Sequence, residues 1–150
     1  MAMLVASLAV LLSACASVSA PSSKDLQGVV KRFHHDLRWK YYDAAAARVD
    51  PERSQAFLEA VEDEKNELSI SAWEIRKVEL KKQGTEAKIR VQFKYYRMPS
   101  TVVQSETIEQ IWRKVGEGWF LFAQEKGPFV LPPPGESKED PGAAEDAPSP

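Results

Sequence analysis

Near Leu68 the spacing of apolar side chains changes from about 3.6 residues to about 2, and no other feature constrains the fold as strongly. Before that point Leu26, Val30, Phe33, Leu37, Tyr41 and Ala44 recur at three- and four-residue intervals, which is one face of a helix. Residues 44–47 continue it with strong helix formers. Asp50-Pro51 then reads as the N-cap and first position of a second helix. That helix should bury Phe57, Ala60 and Val61 and expose Glu59, Glu62, Asp63 and Lys65. Beyond Leu68, residues 70–80 read as a strand, with Trp73 and Ile75 on one parity and Val78 and Leu80 on the other. A change of parity within one strand predicts a β-bulge near Arg76-Lys77. Gln83-Gly84 turns the chain, and Ala87, Ile89, Val91, Phe93 and Tyr95 then alternate with Lys88, Arg90, Gln92 and Lys94. Met98-Pro99-Ser100 ends that strand, a third runs over residues 101–115, and Gly116-Glu117-Gly118 leads into a fourth over 119–124.

This order predicts an α+β domain, with two N-terminal helices packed across one face of a curved antiparallel four-stranded sheet. The helix-then-meander order, with the ending Gln110-Ile111-Trp112-Arg113-Lys114-Val115-Gly116-Glu117-Gly118-Trp119, resembles the nuclear-transport-factor-two-like, cystatin-like superfamily over residues 24–124. The resemblance implies a sheet curved around a helix-lined pocket, and often a homodimer through the sheet. Members include isomerases, dehydratases, secretion-system components and many proteins of no known activity. Their catalytic residues differ between branches, so none transfers to this chain, and the fold alone implies no reaction.

The N-terminus carries a separate signal. Residues 1–12 are apolar and uncharged, and too short for the roughly 20 residues that cross a ~30 Å hydrocarbon core. A short apolar run followed by small residues reads as an export signal. Leu12-Ser13-Ala14-Cys15 resembles the lipobox of bacterial lipoproteins, which implies a diacylglyceryl group on Cys15 and removal of residues 1–14. Cleavage by the ordinary signal peptidase after Val18-Ser19-Ala20 is the alternative. Cys15 is the sole cysteine, so either cleavage leaves no free thiol for disulfides or thiolate catalysis. Ala16 rather than Asp after the cysteine resembles lipoproteins sent to an outer membrane. The expected location is therefore the cell envelope, lipid-anchored, with residues 15–23 as anchor and spacer.

Residues 131–150 are of another material: rich in Pro, Glu, Asp and Ala, with no aromatic and nothing aliphatic larger than alanine after Leu131. Such a segment cannot offset its ordering entropy by burial, so an acidic, Pro-rich disordered tail is expected. Its five acids against Lys138 leave residues 24–130 about two charges positive, too even a balance to argue for nucleic acid.

No paired nucleophile and base appears, no cofactor motif is present, and the reaction, if any, is unread. His34 and His35 are adjacent on the first helix, about 100° apart, so they cannot share a metal. Either is a weak candidate acid or base; the competing reading has His34 bordering the core and His35 solvated. Glu59, Glu62, Asp63 and Glu67 read as a solvated face rather than a calcium site. Lys88, Arg90 and Lys94 form a basic stripe that cross-strand pairing with Glu79, Glu106 or Glu109 explains better than a polyanion does. The third strand is polar on both parities, with Gln104, Glu106 and Gln110 on one and Ser105, Thr107 and Glu109 on the other. That suggests a solvated pocket bounded by Trp73, Tyr95, Gln104, Gln110 and Trp112 for an unidentified small ligand, with Glu106 or Glu109 as weak catalytic candidates. The fourth strand is apolar on both faces, with Trp119, Leu121 and Ala123 on one and Phe120 and Phe122 on the other. Cover is expected from the first helix on one side, and from residues 129–131 or a second copy on the other. The resulting expectation is an envelope binding or assembly module; a small-pocket isomerase or dehydratase of the same fold is the runner-up.

Overall fold

The computed structural model describes residues 23–135. The signal segment read at 1–14, Cys15, residues 16–22 of the spacer and residues 136–150 of the tail lie outside them. Helix α1 (Ser23–Arg38) turns Leu26, Val30, Phe33 and Leu37 inward, each at most 3% exposed. It does not run on through residue 47. Lys40 takes the left-handed conformation at φ 61°, Tyr41 N–H donates to the Asp36 carbonyl at 2.8 Å, and Lys40 N–H donates to the Leu37 carbonyl at 3.2 Å. Those two bonds close a helix end. Tyr41 consequently sits in solvent, not on the apolar stripe.

A short helix, α2 (Tyr42–Ala46), follows and buries Ala45 and Ala46. Asp50 does not cap the next helix. Its Oδ1 accepts from the Glu52 N–H at 3.0 Å, an Asx turn, and α3 (Ser54–Glu64) begins beyond it with Phe57 and Val61 inward.

Strands β1 (Leu68–Lys81), β2 (Glu86–Arg97), β3 (Gln104–Val115) and β4 (Gly118–Gln124) form an antiparallel sheet in the order β1-β2-β3-β4. The expected β1 bulge lies between Ile75 and Lys77, so Trp73, Ile75 and Val78 all reach the core face opposite Phe93, Val91 and Ile89. The inward residues of β2 are the most completely buried row of the sheet. β3 begins three residues later than its composition suggests, leaving Val102 and Val103 exposed ahead of it. Against the sheet, Phe33 packs edge-on to Trp112 with ring centroids 5.5 Å apart, and Phe57 adjoins Phe33 at 5.9 Å.

β4 holds a second departure. Ile111 pairs with Ala123 but Trp112 pairs with Leu121, so Phe122 is an extra residue without a ladder partner. The bulge reverses parity: Ala123 leaves the face of Trp119 and Leu121, and Gln124 takes the place opposite Gln110. Residues 129–131 cover the inner face rather than the outer one. Phe129 packs edge-on to Tyr42, with centroids 5.6 Å apart, and Leu131 is fully buried and pairs with Gln124 through two 2.7 Å backbone bonds. On the other side, the Arg113 guanidinium lies 3.3 Å from the Phe122 ring centroid and that of Arg53 lies 5.4 Å away. Phe122 is thus covered by cations of its own chain.

Candidate functional site

His34 is fully buried between α1 and the sheet, among the rings of Phe33, Trp73 and Phe93, each 5.2 Å away by centroid. Its Nδ1 lies 2.7 Å from the Val30 carbonyl, so Nδ1 carries the proton and Nε2 is the acceptor. Gln110 Nε2 donates to that Nε2 at 3.0 Å and to Gln124 Oε1 at 2.7 Å. Trp112 Nε1–H donates to Gln110 Oε1 at 3.0 Å, and Gln124 Nε2 donates to the Pro128 carbonyl. Each donating atom of this network finds an acceptor, as a buried polar network requires. Burial lowers the His34 pKa to about 4, against a smaller opposing effect of the Val30 hydrogen bond. The imidazole is neutral with both nitrogens engaged, and it has no lone pair free for a proton or a metal.

Of the residues suggested as a pocket, Gln110 and Trp112 come together, but as mutually bonded core residues. Tyr95 donates its hydroxyl to Glu106 Oε2 at 3.0 Å, and burial, then that bond, raise its pKa. Gln104 pairs with Tyr95 across the ladder but is exposed. His35 is exposed, its Nδ1 3.3 Å from Asp36 Oδ1. Glu109 lies 2.7 Å from Lys88 Nζ and 3.7 Å from Arg90 Nε, the cross-strand pairing expected of the basic stripe. It also lines a groove of about 300 Å³ beside Ala123 and Lys126. Among the described residues no cluster of three or more His, Cys, Asp or Glu side chains is arranged to hold a metal ion. Nor is any described helix long and apolar enough to cross a membrane.

Trp73 belongs to a different feature. It is partly exposed, and with residues 74–78 of β1 it lines a groove of about 610 Å³ whose other wall is Gln27 and Lys31 of α1. Lys31 and Trp73 also border a second depression of about 450 Å³, next to Gly28, Arg32 and His35. The two edges of the sheet differ. The outer edge of β4 is closed by Arg48 and Asp50, whose backbone groups bond to Leu121 at 2.9 Å each, and by Leu131. Among the described residues, no backbone group pairs with the outer edge of β1 along the groove.

Sequence reasoning missed Gln124, which strict alternation would put on the face of Phe120 and Phe122. The signal that points to it is Gln110 itself: an amide on a core parity needs a partner on the adjoining strand.

No protein-family model matches the chain, and no curated protein matches it by sequence. Solved structures do resemble it in shape. A SEC-C-motif-containing protein from Rhodopseudomonas palustris superposes with a TM-score of 0.59 at 17% identity, covering 71% of this chain and 81% of that one. An NTF2-like protein from Cytophaga hutchinsonii gives 0.54 at 9% identity, covering 69% and 95%. A ketosteroid isomerase-like protein from Erwinia carotovora atroseptica gives 0.51 at 15% identity, covering 65% and 88%. At such identities the likeness is one of fold, and the fold is the α+β, NTF2-like one that the helix-then-meander pattern implied.

Proposed function

We propose that this chain is an envelope lipoprotein, anchored through Cys15, whose α+β domain works as a binding or assembly module. The observation that carries the module reading is the closed interior. The place between α1 and the sheet where a ligand would lie is filled by His34, Gln110, Gln124 and Trp112, all hydrogen-bonded to one another or to backbone. An isomerase- or dehydratase-like reaction needs an acid or base that meets its substrate in a cavity. His34 is sealed, Glu109 is held by two cations, Glu106 accepts from Tyr95, and His35 has no oriented partner other than Asp36. This weighs against the enzyme reading that the ketosteroid isomerase-like neighbour brings to mind.

Anchoring is supported by Leu12-Ser13-Ala14-Cys15 after the apolar run. A thioether diacylglycerol together with an N-acyl chain exceeds the marginal hold of one chain. The test is cross-linking in intact envelopes followed by mass spectrometry. A discrete protein partner, captured by the native chain and reduced for the Cys15→Ala form, is the expected result. Turnover of a ketone substrate by the purified chain, lost on His34→Gln, with no partner captured, would sink the module reading.

A further inference from the structure

Resting on the binding-module reading, we infer that the open edge of β1 beneath α1 takes up an extended peptide segment as a fifth strand, and that this segment alternates apolar with acidic residues. The edge is the first ground. β4 has its outer edge closed by backbone bonds from residues 48, 50 and 131, whereas residues 73–78 of β1 offer theirs to the groove. An unpaired strand edge templates a further strand about 4.8 Å away.

The inward side chains are the second ground. Trp73, Ile75 and Val78 pack on the core but stay partly exposed, because among the described residues no strand lies beyond them to complete the layer under α1. Every second residue of an added strand would cover them, which is how strand addition obtains specificity from alternate side chains. Gly28 keeps the α1 side of the adjoining depression low beside Trp73, since a Cβ built there meets nothing within 4 Å.

Charge is the third ground. Lys31, Arg32, Arg76 and Lys77 border the groove and its adjoining depression, against the carboxylate of Glu74. Arg76 is paired with Glu74 and Lys77 with Glu79, but among the described residues no carboxylate pairs with Lys31 or Arg32. The same cations oppose a second copy of this chain at this edge, because two such rows would face each other. The bulge at Ile75–Lys77 limits the paired length and blunts indiscriminate edge pairing, so side-chain and charge matching must select the partner.

The experiment titrates the full chain with a fluorescein-labelled peptide of about ten residues alternating Val and Glu, with a Val/Lys peptide as control. Amide hydrogen exchange is followed alongside. The expected result is saturable binding of the acidic peptide only, with new protection confined to β1 residues 73–78. Reversing Lys31 and Arg32 to Glu should weaken binding at least tenfold. Gly28→Leu, which fills open space on a helix surface, should abolish binding while leaving the urea midpoint no lower. Equal binding of both peptides, protection elsewhere, or unchanged affinity in Gly28→Leu would overturn the proposal. So would protection of these amides that grows with protein concentration in the absence of peptide, since a second copy would then be the occupant. Failure here, with a partner still cross-linked in envelopes by Gly28→Leu, would leave the module reading standing and move its interface off this edge.

Discussion

Gln110 has two amide hydrogens and a carbonyl oxygen, and in full burial it uses all three, on His34, Gln124 and Trp112. Removing it orphans three buried polar atoms at once, and each unsatisfied group costs about 1–3 kcal/mol. Gln110→Leu should therefore lower stability by at least about 3 kcal/mol, read as a drop in the urea midpoint at unchanged slope. A near-neutral result would show that the network is dispensable packing. His34 gives a second expectation. Its neighbours on β1, β2 and β3 are Trp73, Phe93 and Gln110, none of which titrates near neutrality. The folded state holds its proton only near pH 4, while the unfolded chain protonates around pH 6.5. As pH falls through 6.5 the unfolded state gains a proton that the folded state refuses. Stability is thus complete above pH 6.5 and declines toward pH 4, by about 3 kcal/mol in all. Comparing the native chain with His34→Gln at pH 7 and pH 4.5 isolates this group; equal losses in both would sink the assignment. His34 as a core residue was legible in the sequence from its place beside Phe33 and Leu37. The partner of its Nε2 was not, because Gln110 lies on β3, 76 residues away in the chain.

Among the elements, helix ends and strand parities were the parts that alternation and propensity misplaced. The residue that ends α1 is Lys40, and nothing in its chemistry announces a left-handed conformation, which a Gly or Asn would have done. The stop is enforced from outside the helix. Asp36 near the end of α1 accepts from Arg48 at 2.7 Å, and Arg48 is pinned to β4 by its own backbone, so the chain must turn back between them. Lys40→Gly should remove the Cβ strain at φ 61° and raise stability by up to about 1 kcal/mol, visible as a higher melting temperature. A decrease would mean that the Lys40 Nζ bond to the Lys65 carbonyl outweighs the strain. The β1 bulge was legible because both its apolar runs were long enough to reveal a phase change. The β4 bulge was not: with Phe122 and Ala123 both apolar, binary pattern carries no phase information there.

At the scale of the molecule, substituting Cys15→Ala should move the chain from the detergent phase to the aqueous phase of a Triton X-114 partition. Unchanged partitioning would remove the anchor from the account. The sequence by itself determined the order of elements, the meander, the α+β class and the inward row of β2, because each follows from local periodicity and from turns a few residues long. Tertiary structure alone decided that Gln110 and Trp112 of the expected pocket lining join a hydrogen-bonded core, that residues 129–131 close the inner face of β4, and that among the described residues nothing pairs with the edge of β1 along the groove. Those outcomes depend on which polar atoms meet after the chain has folded back on itself. A buried amide is stable only with partners, and two of the three partners of Gln110 lie on α1 and on β4.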